Sequence, residues 1–130
     1  MNVKENEDKT LQLIPKATNY IEYMIETIMK LPRTEKFNIG NDYKQSMYKM
    51  LEEIIYLQKI EKYKKIEHLN KIDCELNIQR IMLRLMYKEH WIDNRKFKVA
   101  IEKLWRNREN NRRAYKILWQ EQLEMNLIRS

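Results

Sequence analysis

A segment rich in arginine and lysine, residues 95–116, has the clearest chemical character in the sequence. Only Glu102 and Glu109 oppose its nine basic residues, so the segment carries +7, the net charge of the whole chain. The rest of the chain therefore balances, with 17 basic and 17 acidic residues. The nine are Arg95, Lys96, Lys98, Lys103, Arg106, Arg108, Arg112, Arg113 and Lys116. Such a localised charge predicts binding of these side chains to the phosphates of RNA or DNA.

A solvated helix face or a site for an acidic protein partner is the competing interpretation of this segment. Five of its nine basic residues are arginines, whose planar fork matches phosphate oxygens, whereas lysine alone would suffice for solubility. Arginine content and localisation together favour an anionic polymer. The sequence itself leaves the choice between RNA and DNA open.

The same segment has apolar residues at helical spacing, so a helix must position the cations. Phe97, Ile101, Leu104 and Trp105 predict one buried face. The pattern lapses over residues 107–113, which contain three asparagines, so the helix either ends or bends near Asn110–Asn111 or continues through them.

The apolar spacing then resumes at Tyr115, Leu118, Trp119 and Leu123, which predicts a helical extension that packs on this chain or on a neighbour. Trp91, Trp105 and Trp119 are spaced by 14 residues, close to four helical turns, and aromatic rings beside arginines can stack on bases. Trp105 is predicted to lie in the core and Trp119 to contact a partner. Tyr115 is compatible with either role.

Residues suited to catalysis are few. His68 and His90 are predicted on one helix, roughly 33 Å apart by helical rise, which is too far for a shared site. Cys74 falls on an apolar seam and is predicted to be a buried small residue. Glu52 and Glu53 face different sides of a helix, and no Cys/His spacing suits a metal. We predict a chain that is not an enzyme and has no cofactor; the alternative is a metal-free helical ribonuclease.

Composition favours a helical protein. One glycine and two prolines in 130 residues are too few for an architecture rich in turns. A single cysteine excludes an internal disulfide and suits a reducing compartment. No signal peptide or membrane span is predicted, so the expected location is the cytoplasm.

Three further helices are predicted before the basic one. The first runs from an N-cap at Thr10 to about Leu31, the second from about Asn41 to Lys59, and the third from about Ile66 to His90. Between the first two, Phe37 and Ile39 are expected beneath the bundle end, Asn38 or Asn41 as a cap, and Gly40 at a close approach or an unusual φ. Asp93 or Asn94 caps the basic helix.

The predicted inward faces follow from helical spacing. The third helix carries two apolar seams, which places it either centrally in the bundle or at a subunit interface. The first helix presents Leu11, Ile14, Ala17, Ile21, Met24, Ile25 and Ile28; the second presents Tyr43, Met47, Met50, Leu51, Ile54 and Leu57; the seams of the third are Leu69, Ile72, Leu76, Leu83 and Met86, and Cys74, Ile78, Ile81 and Leu85.

Several short motifs are similar to those of the accessory variability determinant (Avd) family of four-helix-bundle proteins. The connection Leu31-Pro32-Arg33 to Gly40 resembles that family's first hairpin, and residues 52–55 resemble its "LEEII" segment. Arg80 and Arg84, four apart, resemble its pair of helix-three arginines. Over residues 107–113, where the family has a glycine-rich "GRxxGGW" stretch, only Arg108 matches. The resemblance covers roughly residues 10–105.

The resemblance implies a homopentamer that binds nucleic acid and a reverse transcriptase in a diversity-generating retroelement, without a catalytic centre of its own. Arg80, Arg84, Tyr115 and Trp119 are predicted to contact the protein partner. The alternative is a protein-interaction module of the ribosomal-RNA intervening-sequence type, for which nucleic-acid binding is incidental. The predicted architecture is all-α: a disordered tail (1–9), an up-down four-helix bundle (10–113) and a C-terminal helical extension (114–130), assembled into an oligomer.

Overall fold

The computed structural model describes residues 13–129, which form four long helices and one short helix. A 3₁₀ turn, Lys62–Lys64, precedes the third long helix. The helices are α1 (Leu13–Met29), α2 (Arg33–Phe37), α3 (Ile39–Tyr56), α4 (Lys65–Lys88) and α5 (Asn94–Arg129). The predicted tail 1–9, the cap at Thr10 and the stripe residue Leu11 lie outside the described residues.

The four long helices occupy the corners of a bundle. Helices α1 and α4 each pack against both α3 and α5. His68, early in α4, hydrogen-bonds Glu53, late in α3, whereas Gln79, later in α4, bonds Ser46, early in α3. These two helices are therefore antiparallel. The contacts of α5 with α1 and α4 show that α5 is antiparallel to both of those helices. The predicted helical bundle is confirmed.

The core follows the predicted stripes closely in α1 and α3. Ala17, Ile21, Met24 and Ile28 of α1 are buried, whereas Ile14 and Ile25 lie at its edge. On α3 the residues that were predicted to face inward are buried, except Leu51, which is partly exposed. The buried residues of α3 and the turn after it are Tyr43, Met47, Met50, Ile54 and Leu57.

A chain of polar side chains crosses this core. Tyr20 and Tyr43 join through their hydroxyls, and Tyr20 donates to Oε1 of Gln79 at 2.8 Å. Gln79 donates to Ser46, whose hydroxyl donates to Glu75 at 2.6 Å. Burial raises the pKa of both tyrosines, so both phenols are neutral. Because each buried group has a partner, the network fixes the relative register of α1, α3 and α4.

The sole glycine is in the first turn of α3, directly after the connection from α1. A Cβ atom on Gly40 would lie 2.8 Å from Cγ2 of Ile28 and 3.3 Å from the carbonyl oxygen of Glu35. No glycine has a positive φ, so Gly40 serves the close approach of α3 to α1. Of the two predicted caps, Asn38 occupies the N-cap position of α3 but makes no side-chain cap hydrogen bond, and Asn41 lies inside the helix.

Before α5, the predictions that Phe37 and Cys74 are buried are wrong. Phe37 is 69% exposed because α2 ends there, before the chain turns inward at the half-buried Ile39. Cys74 is exposed, and so are Ile78, Ile81 and Leu85 of the same seam. Helix α4 sits at a corner of the bundle and contacts two long neighbours, so its second seam faces outward. The central position is excluded, and a subunit interface stays a prediction.

The turn from α4 to α5 ends one helix and starts the next. His90 has a φ of 62°, and the backbone N–H groups of His90 and Trp91 donate to the carbonyls of Tyr87 and Met86. This pattern is a Schellman motif, in which His90 takes the left-handed position that glycine usually fills. Asp93, not Asn94, caps α5, because its carboxylate accepts the backbone N–H of Lys96 at 2.8 Å.

Candidate nucleic-acid interface

Helix α5 carries all nine predicted phosphate-binding residues and is unbroken. It has 36 residues and is about 54 Å long, whereas the other long helices have 17 to 24 residues. It does not end at Asn110–Asn111 but continues through them as α-helix. The side chains of residues 107–113 therefore follow regular helical spacing, and a single helical wheel describes the inward and outward faces of the whole helix.

The asparagines are what attach this stretch to the bundle. Asn111 is 4% exposed and donates from Nδ2 to the carbonyl of Leu69 on α4 at 3.0 Å. Asn107 is 7% exposed and donates to the carbonyl of Lys103 in its own helix, with a longer contact to that of Lys16 on α1. They continue the buried face of Ala100 and Leu104, and Ala114 extends it further.

Two of the nine cations, Lys96 and Lys103, are half-buried without a carboxylate partner among the described residues. Lys103 donates to Oδ1 of Asn19 at 2.7 Å and lies over the ring of Tyr23, with its Nζ 5.6 Å from the ring centroid. These contacts of Lys103 hold α5 against α1. Because both side chains are partly covered, the two lysines are less available to a phosphate than the sequence alone suggests.

Two arginines of the nine have acidic partners. Arg106 pairs with Glu102, one turn earlier on the same helix, at 2.7 Å. Arg108 lies 3.7 Å from the carboxylate of Asp73 on α4. Both pairs are partly exposed, so their attraction is weakened by solvent, and each arginine can exchange its carboxylate for a phosphate.

The other five cations are exposed. Within residues 13–129 their side chains make no ion pair and no hydrogen bond. They are Arg95, Lys98, Arg112, Arg113 and Lys116. Because they have no carboxylate to displace, these five side chains are the strongest phosphate-binding candidates on α5. We call Arg112, Arg113 and Lys116 the distal cations.

A half-open groove lies beside the distal cations, between α4 and α5. It has a volume of about 340 Å³, and its walls include Leu69, Asn70, Asp73, Arg112 and Tyr115. Asn70, Asp73 and Asn111, which also lines the groove, were missed by sequence reasoning. The inward position of Asn111 could have been predicted from helical spacing, because positions 107, 111 and 114 continue the spacing of the buried residues 100 and 104 regardless of polarity.

The prediction that Trp105 lies in the core is wrong, because its side chain is 59% exposed. Ala100, Leu104 and Asn107 set the buried face and leave Trp105 on the opposite side of the helix. Trp119 is 42% exposed, and Tyr115, which is half-buried, packs against it edge-to-face with the ring centroids 6.2 Å apart. The structure thus places both indoles on the surface of the basic helix.

Arg80 and Arg84, the predicted partner-binding pair, lie on α4. Arg80 is half-buried, and its Nε has no hydrogen-bond partner among the described residues. Arg84 is exposed, next to the outward residues Ile81 and Leu85. The pair is therefore not part of the groove beside the distal cations, and its role stays a prediction.

The end of α5 is apolar and accessible. Lys62 of the 3₁₀ turn pairs with Glu121 at 2.7 Å, which ties residues 118–122 to the bundle. A groove of about 480 Å³ runs along this contact, beside Tyr63 and Met125. Beyond Gln122 all described residues are exposed, and the most apolar of them are Leu123, Met125, Leu127 and Ile128.

The residues considered for catalysis are dispersed. His68 bonds Glu53 and contacts the ring of Tyr56, whereas His90 is exposed at the other end of α4. In residues 13–129 no three His, Cys, Asp or Glu side chains are grouped as a metal site would require. None of the helices in this part of the chain is both long and apolar enough to cross a membrane.

A family model described as bAvd-like matches residues 11–106, which is about three quarters of the chain. The chain belongs to the bAvd-like family. The resemblance of its motifs to Avd proteins is thereby confirmed, and the matched range covers α1 to α4 and the first third of α5. Neither a curated protein nor a solved structure matches the chain. The distal cations, Tyr115 and Trp119 lie beyond the matched range.

Proposed function

We propose that this bAvd-like chain is a non-catalytic, nucleic-acid-binding accessory subunit of a diversity-generating retroelement. The observation that carries the proposal is the exposed, unpaired set of cations on α5. Five of the nine basic side chains there make no ion pair with a described residue, so binding a phosphate costs no existing interaction.

The family supports the rest of the proposal. Avd-like proteins are accessory subunits, and their resemblance to this chain implies a cytoplasmic homopentamer that binds a reverse transcriptase. In such an assembly the basic surface of α5 recurs with each subunit. Repetition raises affinity for a long polymer because later contacts are intramolecular. The outward seam of Ile78, Ile81 and Leu85 suits a subunit contact.

The test of nucleic-acid binding is salt dependence measured on two matched variants. Replacing Arg112, Arg113 and Lys116 with Ala removes three phosphate contacts, which lowers the salt slope for single-stranded RNA by about 2. At about 0.1 M salt this corresponds to about a hundredfold loss of affinity. Fluorescence anisotropy with a mixed-sequence RNA, measured between low and high salt, provides both quantities.

The control removes the same charge elsewhere. Lys30, Lys49 and Lys59 are exposed and unpaired among the described residues, and they lie just after α1, on α3 and just after α3. Their replacement with Ala should leave the slope within about 0.5 of that of the original chain. An equal loss in both triple variants would show that binding responds to net charge alone, and the proposal would fail.

A second candidate, a protein-interaction module, is favoured by the exposed apolar end of α5. Truncation after Gln122 removes Leu123, Met125, Leu127 and Ile128 and leaves every buried residue in place. If this end docks the reverse transcriptase, the truncated protein no longer co-purifies with that enzyme, whereas its RNA affinity is unchanged. Retained co-purification would contradict this role.

A further inference from the structure

The outward line of α5 alternates cations and indoles. Lys98, Trp105, Arg112 and Trp119 follow one another at intervals of seven residues, and all four are exposed. Seven residues advance about 10.5 Å along a helix and change the angle around it by only about 20°. The four side chains therefore form a nearly straight stripe of cation, ring, cation and ring. We call them the outward stripe.

The exposure of the two rings needs a physical reason. Trp105 and Trp119 are 59% and 42% exposed on a helix whose inward face is already filled by Ala100, Leu104, Asn107, Asn111 and Ala114. The bundle therefore leaves a large part of both rings accessible to a partner. The alternation of the rings with Lys98 and Arg112 indicates the chemistry of that partner: the cations suit an anion, and the rings suit bases that can stack.

We propose that the outward stripe is a stacking platform for single-stranded nucleic acid. Bases stack on Trp105 and Trp119, while Arg112 holds a phosphate between the two rings and Lys98 holds one on the other side of Trp105. This inference rests on the proposed function and adds a contact to the bases, which phosphate binding alone does not supply. Duplexes keep their bases stacked inside, so the two indoles contribute to single strands only.

The neighbouring residues fit this arrangement. Tyr115 packs edge-to-face on Trp119 and limits the rotation of that indole, which lowers the entropy cost of stacking. Arg113 and Lys116 add cations beside Arg112. Glu102, Glu109 and Lys116 follow one line of the helix, at intervals of seven residues. Because Glu102 is paired with Arg106 and Glu109 is half-buried, these two carboxylates oppose a bound phosphate less than free, exposed carboxylates would.

The dimensions set the length of strand that engages both rings. Trp105 and Trp119 are 14 residues apart, which is about 21 Å along α5. A stacked strand advances about 3.4 Å per nucleotide, so this distance corresponds to about six nucleotides. An oligonucleotide of about 12 nucleotides covers the stripe, whereas one of about three nucleotides reaches one ring only.

The test compares single-stranded and duplex RNA of the same sequence on the full chain with both Trp105 and Trp119 replaced by Ala. Base–aromatic stacking accounts for roughly 5- to 100-fold in affinity per base, so single-strand binding should fall by about tenfold or more. Duplex binding and the salt slope should stay as they are, because the cations remain. The control replaces Phe37 and Tyr63, which are 69% and 65% exposed but lie off α5, and should change neither affinity.

Three outcomes would overturn the platform. Unchanged single-strand affinity, or an equal loss on duplex RNA, excludes base stacking. A change in oligomer mass by light scattering in the double tryptophan variant would assign the rings to a subunit contact. Each of these outcomes leaves the proposed function standing if the distal cations still control the salt slope. If the unsubstituted chain does not bind RNA, both proposals are refuted.

Discussion

The two faces of α5 use similar residue types for opposite purposes. On the inward face Lys103 and the two buried asparagines bond α1 and α4, so their polar groups hold the helix in place. On the outward face Lys98, Arg112 and two indoles have no comparable contact in their own bundle. The comparison shows that the basic and aromatic residues of α5 are available to a partner only where the fold leaves their side chains without contacts to the other helices.

The largest expected difference between the two faces is at adjacent residues 104 and 105. Leu104 is 2% exposed, and its replacement with Ala should lower the free energy of unfolding by about 2–5 kcal/mol, from lost burial and the cavity left behind. Replacing Trp105 with Ala should change it by less than about 0.5 kcal/mol. Urea unfolding followed by circular dichroism measures both. A destabilisation by the Trp105 variant as large as that by the Leu104 variant would show that the ring is buried.

A smaller contrast is expected between adjacent residues 111 and 112. Replacing Asn111 with Ala removes the bond to the carbonyl of Leu69, at a net cost of about 1 kcal/mol, partly offset because alanine favours helix more strongly. Replacing Arg112 with Ala should not reduce stability. Thermal unfolding of the two variants under identical conditions checks the ranking, and the reverse order would contradict the assignment of faces.

Helix periodicity predicted most of the bundle because most of its inward positions are apolar. The stripes of α1 and α3, the first seam of α4, and the break at Pro32 all follow from spacing and backbone chemistry. The continuity of α5 did not follow, since an asparagine that bonds a neighbouring helix looks in sequence like one that ends a helix. Only the carbonyls of Lys16 and Leu69, distant in sequence, distinguish the two cases.

The candidate site was predicted in composition and only partly in geometry. Charge counting found the nine cations, but the contacts with Asp73 and Asn19 depend on which residues the fold brings near. Trp105 was misplaced because Phe97, Ile101 and Leu104 were weighted alone. Counting Ala100 and Asn107, which are small or polar yet buried, turns the inward face away from Trp105.

The most direct test of the outward face is ¹⁹F NMR of the full chain with fluorinated tryptophan, titrated with single-stranded RNA. The three tryptophans give three signals, and Trp91, in the turn between α4 and α5, is an internal control. We expect RNA to shift the signals of Trp105 and Trp119 and to leave that of Trp91 unchanged. The assignment of binding to this face would be contradicted if RNA bound and neither α5 signal shifted, whether or not the signal of Trp91 responded.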